Sequence, residues 1–132
     1  MAQTPMQIVF TLLEARRRKD IDGVRAVLHP EVVHQGVTVE LVCHDREQVL
    51  ANVRRGFQQD DDGIDHLELV DAGERVVLGL AGPRFRDVPW AALGGQLFVV
   101  HTVKEGVVVH MQDYLNRADA MAAAGAPPTA WA

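Results

Sequence analysis

The sequence contains a single cysteine, Cys43, among its 132 residues, so no internal disulfide can form. Cys43 follows Leu41 and Val42 in an apolar stretch, where a free thiol behaves as a small hydrophobic side chain. Because chains without disulfides suit a reducing compartment, we expect a cytoplasmic protein.

Long apolar runs and an excess of positive charge are also missing. No stretch approaches the roughly 18 apolar residues that a membrane-spanning helix requires, and the first ten residues lack the basic start of a signal peptide. Thirteen Lys and Arg against eighteen Asp and Glu give a formal net charge of -5, which opposes binding to phosphate backbones and anionic lipid. We therefore expect no membrane partner and no nucleic acid partner.

The length leaves room for one domain only. A chain of 132 residues fits the usual domain size of roughly 100 to 200 residues, which excludes a two-domain enzyme. Hydrophobic residues make up 48% and charged residues 23%, so the composition is that of a globular protein. We predict a single domain over residues 1–132, in which residues 126–132 form a flexible tail.

Capping signals predict a helix at the start of the chain. Thr4 and Gln7 have the spacing of a capping box, and Pro5 occupies the first helical position. Apolar residues at helical spacing predict the buried stripe of this helix: Met6, Val9, Phe10 and Leu13.

Two further helices are predicted before the strand-rich half of the chain. Asp20 caps a second, shorter helix that Pro30 ends. Asp45 starts a third helix that ends near Gln58. The pattern of this third helix places Leu50, Val53 and Phe57 on an inner face and Arg46, Arg54 and Arg55 outside.

The remaining patterns predict strands and one short terminal helix. Strands are expected at 31–38, 41–43, 64–71, 75–81, 96–104 and 107–115, and a helix at 117–124. Lys104, Glu105 and Gly106 predict a three-residue hairpin loop between the last two strands. This order predicts an α+β fold, in which a curved, mostly antiparallel sheet closes over three N-terminal helices like a cone.

Two local sequences carry a resemblance to a known family. Residues 28–34 (Leu-His-Pro-Glu-Val-Val-His) lead from the second helix into the first strand, and residues 105–115 lead into a helix of small residues that ends at Gly125. In this order they resemble the nuclear transport factor 2-like superfamily, within it the SnoaL-like group of polyketide cyclases and their uncharacterised relatives. The resemblance spans nearly the whole chain.

The resemblance implies a cone-shaped α+β barrel that encloses an apolar pocket. In relatives an acidic residue on the last strand points into the pocket, and this position is Asp113 here. SnoaL-type cyclases pair that residue with a histidine on the preceding strand, where this sequence has Val99, and the nearest histidine is His101. An Arg-x-Asp element, which resemblance to limonene-epoxide hydrolases would require, is missing near residues 80–82.

Asp113 is the first candidate catalytic residue. A three-residue turn would place Leu97 opposite Asp113, Val99 opposite Met111 and His101 opposite Val109, with these side chains on one face. A carboxylate in such surroundings is partly desolvated, which suits it to proton transfer. A structural role, as a hydrogen-bond acceptor or the partner of an arginine, is an equally open alternative.

His34 is the second candidate catalytic residue, and it lies on the first predicted strand. It could hold a substrate oxygen or exchange a proton near neutral pH, although a purely structural histidine is the alternative. The predicted ligand-binding residues are Phe10, Phe57, Trp90, Val99, His101, Met111 and Tyr114. Trp90 belongs to a connection that would lie over the pocket mouth.

The histidines show no metal-ligand spacing, and the acidic residues 59–63 lack the calcium-loop pattern. We therefore expect no metal and no cofactor. Two functions remain open. The first is a cofactor-independent isomerase or cyclase, or a related lyase or hydrolase, that acts on a small apolar or polycyclic molecule. The second is a non-catalytic ligand-binding or dimeric accessory domain. Phe98, Val100 and Thr102 alternate with the inward set, and this apolar outer face predicts a homodimer.

Overall fold

The structure, a computed structural model, describes residues 3–58, 64–85 and 94–126. Trp90 and residues 127–132 of the predicted tail lie outside the described residues. Four helices and six strands are described, and they confirm the α+β fold predicted from the sequence. No helix in the described ranges is long and apolar enough to cross a membrane.

Three helices form the N-terminal half: α1 (Pro5–Arg17), α2 (Ile21–Ala26) and α3 (Arg46–Gly56). Each begins at a predicted cap, because the side chains of Thr4, Asp20 and Asp45 accept hydrogen bonds from backbone N–H groups of the first turn. These caps fix where the helices start, and α3 ends two residues before the predicted end at Gln58.

The buried face of α1 differs from the predicted stripe. Its buried side chains are Ile8, Val9, Leu12 and Ala15. Phe10, predicted to face inward and bind ligand, is 55% exposed. The helix is rotated so that Ala15 faces α2, where a Cβ added at Gly23 would lie 3.1 Å from the Ala15 Cβ. Two small residues therefore lie where α1 meets α2, and on this helix Phe10 faces away from the core.

The six strands form one sheet in the order β2-β1-β6-β5-β4-β3. Their bounds are β1 (Leu28–Gln35), β2 (Val42–Cys43), β3 (His66–Ala72), β4 (Arg75–Ala81), β5 (Gln96–Lys104) and β6 (Val107–Tyr114). β1 and β6 run parallel, and every other neighbouring pair is antiparallel. The sheet is open, with β2 and β3 as the edges of the described sheet.

The first strand begins earlier than predicted. β1 starts at Leu28 and includes Pro30, whereas the sequence suggested that α2 continues to this proline. The register between β1 and β6 shifts between Leu28 and Val33. Pro30 lies within this irregular stretch, which is the kind of position where a sheet accommodates proline.

The hairpin between β5 and β6 corrects the predicted register. Lys104 pairs with Val107, and both residues between them have positive φ, 53° at Glu105 and 79° at Gly106. This is a two-residue turn with the signs of type I′, rather than a three-residue loop. The register then shifts beside Thr102.

As a result of this turn and register shift, each β6 residue near Asp113 pairs with a β5 residue two positions later than predicted. Asp113 lies opposite Val99 instead of Leu97, and Met111 lies opposite His101 instead of Val99.

The outer face of the sheet is covered by the last helix, α4 (Arg117–Ala124), which ends at Gly125 with φ 73°. Phe98 and Val100 are 0% and 4% exposed, in a cluster with Met121. Arg117 of α4 donates to both carboxylate oxygens of Glu68 on β3, at 3.0 and 2.5 Å. The outer face proposed as a dimer interface is therefore covered by α4 of the same chain. The homodimer stays a prediction, but this surface cannot form its interface.

Replacing Met121 with alanine should lower the free energy of unfolding by about 2–4 kcal/mol, because a fully buried side chain leaves a cavity. Leu115→Ala is the matched control: Leu115 is 42% exposed, and we expect a loss below about 1 kcal/mol. Urea unfolding monitored by circular dichroism measures both. Equal small losses would contradict the packing of α4 on the sheet.

Candidate functional site

The parallel pairing of β1 with β6 brings the two candidate catalytic residues together. His34 pairs with Met111, so Asp113 is the next residue along β6 on the same face. The His34 Nε2 lies 2.7 Å from the Asp113 Oδ1, across 79 positions of sequence. The side chains are 25% and 14% exposed, respectively. Both residues were identified in the sequence, but their contact was not.

This His34–Asp113 pair lies beside two adjoining cavities. The first cavity, of about 290 Å³, has a mixed wall, in which the polar side chain of Arg16 accompanies six apolar residues: Leu12, Val24, Leu28, Val49, Val53 and Met111. The second, of about 350 Å³, is lined by Asp113 and by the segment from Gly36 to Cys43. His34, Asn52 and Arg55 line both cavities. A molecule in either cavity can therefore reach the His34 imidazole.

The wall of the second cavity is a loop with internal hydrogen bonds. The Gln35 Nε2 donates to the carbonyl oxygens of Thr38, at 2.7 Å, and Leu41, at 3.3 Å. The backbone N–H of Gly36 donates to the Leu41 oxygen, and a Cβ at position 36 would lie 2.7 Å from the Leu41 Cβ. Glycine is required by this close approach. The loop therefore holds a defined shape beside the His34–Asp113 pair.

Cys43 lies in the second cavity and pairs directly with His34 across β1 and β2. Burial raises the pKa of its thiol, and this effect is larger than the influence of the nearby Arg55 and Asp113 charges. Because the thiolate is the nucleophilic form, the thiol is a poor nucleophile near neutral pH. Cys43 contributes apolar wall to the cavity, as the sequence indicated.

His101 lies in the core and lines neither cavity. It is 1% exposed, and its Nδ1 has no hydrogen-bond partner within the described residues. Burial lowers its pKa to about 3, and the charges of His34 and Arg16 act in the same direction. The imidazole is therefore neutral at physiological pH. Its predicted role in ligand binding is not supported by this position.

Of the other predicted ligand-binding residues in the described ranges, one lines a cavity and the rest do not. Met111 lines the first cavity, while Val99, opposite Asp113, and Phe57, just after α3, line neither cavity. Tyr114 packs in the outer cluster with α4, because successive residues of a strand point to opposite faces and Asp113 points inward. Tyr114 therefore lines neither of these cavities.

Two site residues, Asn52 and Arg55, were missed by the sequence analysis. Arg55 is exposed, as its placement on the outer face of the third helix predicted, but its side chain also lines both cavities. Its Nη2 donates to the Asn52 Oδ1 at 2.5 Å. The sequence did contain a signal for this pair. Asn52 and Arg55 are three positions apart, so they lie on one side of the helix, and Val53, predicted to face inward, adjoins that side.

Within the described ranges, no group of three His, Cys, Asp or Glu side chains is arranged to hold a metal ion. The expectation that the protein uses neither metal nor cofactor stays a prediction.

Several solved structures share the fold. No protein-family profile and no curated protein matches the sequence. An NTF2-like protein of unknown function from Burkholderia pseudomallei is 24% identical, with a TM-score of 0.58 over 91% of this chain and 96% of that one. An NTF2-like protein from Burkholderia xenovorans is 19% identical, with a TM-score of 0.65 over 94% of this chain and 98% of that one.

A protein from Pseudomonas putida, described as a candidate polyketide cyclase, is 14% identical, with a TM-score of 0.64 over 89% of this chain and 96% of that one. These likenesses confirm the predicted resemblance in fold. At such identities they carry no activity from one protein to another.

His101 should make stability fall in acid. Its pKa of about 3 in the folded state lies below 6.5, the ordinary value, so the unfolded chain binds the proton first as pH drops. Its contribution to stability is complete above pH 6.5 and should decline by about 2 kcal/mol between pH 6.5 and 5. His101→Leu should remove this decline. Denaturant melts of both proteins at pH 7.5 and 5 test it, and parallel losses would contradict it.

Proposed function

We propose that this chain, which has the nuclear transport factor 2-like fold, binds a small, largely apolar molecule and isomerises or cyclises it by proton transfer without a cofactor. The hydrogen bond between His34 and Asp113, at 2.7 Å and beside two adjoining cavities, carries the proposal. Acid/base chemistry needs a partly desolvated, oriented proton carrier that a substrate can reach. The His34–Asp113 pair has these properties.

His34 is the proton carrier in this proposal, and Asp113 orients it. Since an ionised carboxylate only accepts hydrogen bonds, the His34 Nε2 carries the proton that it donates to the Asp113 Oδ1. The Nδ1 of the neutral ring then holds the basic lone pair. The sequence-based interpretation made Asp113 the base, with His34 or Tyr114 as the partner of a substrate oxygen. Their direct hydrogen bond favours His34 as the base and Asp113 as the residue that orients it. The His34 Nε2–H is already donated to Asp113, so it is not available to a substrate oxygen.

The reaction would proceed in two proton transfers. The His34 Nδ1 removes a proton from a carbon next to a carbonyl group, which gives an enolate and an imidazolium. The Asp113 carboxylate stabilises the imidazolium, which then returns the proton to a different carbon. Since the Asn52 Oδ1 accepts from Arg55, the Asn52 Nδ2 remains as a donor for the developing oxygen anion. The net change is an isomerisation, and no oxidant is consumed.

A non-catalytic ligand-binding protein is the second candidate function. The observation that favours it is Val99, which lies directly opposite Asp113 where the resemblance to cyclases implies a histidine. Under this alternative, the His34–Asp113 pair would provide polar contacts to a bound molecule. A cytoplasmic location and a dimeric assembly accompany either function as predictions from the sequence.

The isomerisation of 3-cyclohexen-1-one to its conjugated isomer, followed by ultraviolet absorbance, tests the catalytic proposal. His34→Gln should reduce the enzyme-dependent rate by about a hundredfold or more, because the proton carrier is removed. Asp113→Asn should reduce it less, since an amide oxygen can still accept from the His34 Nε2 but cannot stabilise the imidazolium by charge. The control His44→Gln changes an exposed histidine that lines neither cavity, and it should leave the rate unchanged.

A rate that is unaffected by His34→Gln would contradict the assignment of the proton carrier. If the wild-type protein binds the conjugated ketone in calorimetry but does not accelerate its formation, the non-catalytic candidate is correct instead.

A further inference from the structure

Arg55 supplies positive charge where the two cavities adjoin. It lies in the last turn of α3 and lines both cavities together with Asn52 and His34. The Asn52 side chain holds its guanidinium through the 2.5 Å hydrogen bond. This contact uses one N–H of five, so the planar group retains donors that can bind a carboxylate in two places.

The carboxylates of the described residues are not paired with Arg55. Arg17, Arg25 and Arg117 each form an ion pair with a glutamate. Of the carboxylates that line the cavities, Asp113 is bonded to His34, and Glu40 forms no ion pair within the described chain. Among the described residues, the hydrogen-bond partner of Arg55 at the cavity wall is thus the neutral Asn52.

The charge of Arg55 extends into the second cavity. After burial, Arg55 has the largest effect on the Cys43 pKa, and it lowers that pKa while Asp113 raises it. Arg16 adds a second positive side chain to the wall of the first cavity. The whole chain has a net charge of -5, so any attraction for an anion at this site comes from these local groups.

We infer that the ligand carries a carboxylate, which Arg55 binds, on an apolar body that fills the first cavity. The inference rests on the proposed function, because it names the class of molecule that the same site takes. Because Arg55 and His34 line the same two cavities, a ligand whose carboxylate lies at Arg55 can extend towards His34. Arg55 is therefore a specificity-determining residue. A neutral analogue of the same shape would occupy the first cavity but would lack the charged contact with Arg55.

Two probes of the same shape test this inference. Calorimetric titration at low salt compares 2-naphthoate with 2-naphthalenemethanol, which replaces the carboxylate by a neutral hydroxymethyl group. The wild-type protein should bind 2-naphthoate about tenfold more tightly or better. Arg55→Gln should remove that preference and leave the affinity for the alcohol unchanged. Arg54→Gln is the matched control, because Arg54 is exposed on the same helix, as Arg55 is, but lines neither cavity.

The outcomes separate this inference from the proposed function. If both probes bind equally well, or if Arg55→Gln leaves the preference for 2-naphthoate intact, the assignment of Arg55 is wrong while binding to the cavities stands. If Arg54→Gln abolishes the preference as fully as Arg55→Gln, the effect is one of general charge and the inference is also wrong. Failure of both probes to bind at millimolar concentration would contradict the proposed binding of apolar molecules itself. Thermal melts of the variants show that each remains folded.

Discussion

The parallel pairing of β1 with β6 is the contact on which the site depends. It joins the strand that follows the first two helices to the last strand of the chain. A parallel pair cannot be closed by a short turn, so the intervening 71 residues, from 36 to 106, must fold back before it forms. The cavities and the His34–Asp113 pair exist only when this long-range contact is made.

Local signals predicted much of the fold. The caps at Thr4, Asp20 and Asp45 identified the helix starts, because a side-chain oxygen three residues before a backbone N–H forms the same bond in any tertiary setting. The bounds of β4 and β5 also agree with the sequence pattern. The rotation of α1 and the position of α4 could not be predicted, since they depend on which surfaces meet across the fold.

The sequence identified the two catalytic candidates, but it did not predict that they contact each other. Asp113 and His34 were each identified, while their pairing required the register of two strands that are distant in sequence. Arg55 was assigned to the surface because charged side chains usually face water, and it is exposed there. Its place at the wall of both cavities could not be predicted, because the helix pattern does not show that an exposed position borders an opening between α3 and the sheet.

The β-bulge opposite Thr102 determines which face of the sheet carries the Asp113 carboxylate. Val103 pairs with Val108, whereas Thr102 pairs with His110, so Val109 is one residue more than the ladder needs. Val108 points into the inner core. With strict alternation from there, His110, Gln112 and Tyr114 would point inward and Asp113 outward. The single added residue therefore reverses the two faces of β6 beyond it. If β6 paired with β5 without this bulge, the same sequence would place the phenol of Tyr114, and not the Asp113 carboxylate, on the side of His34.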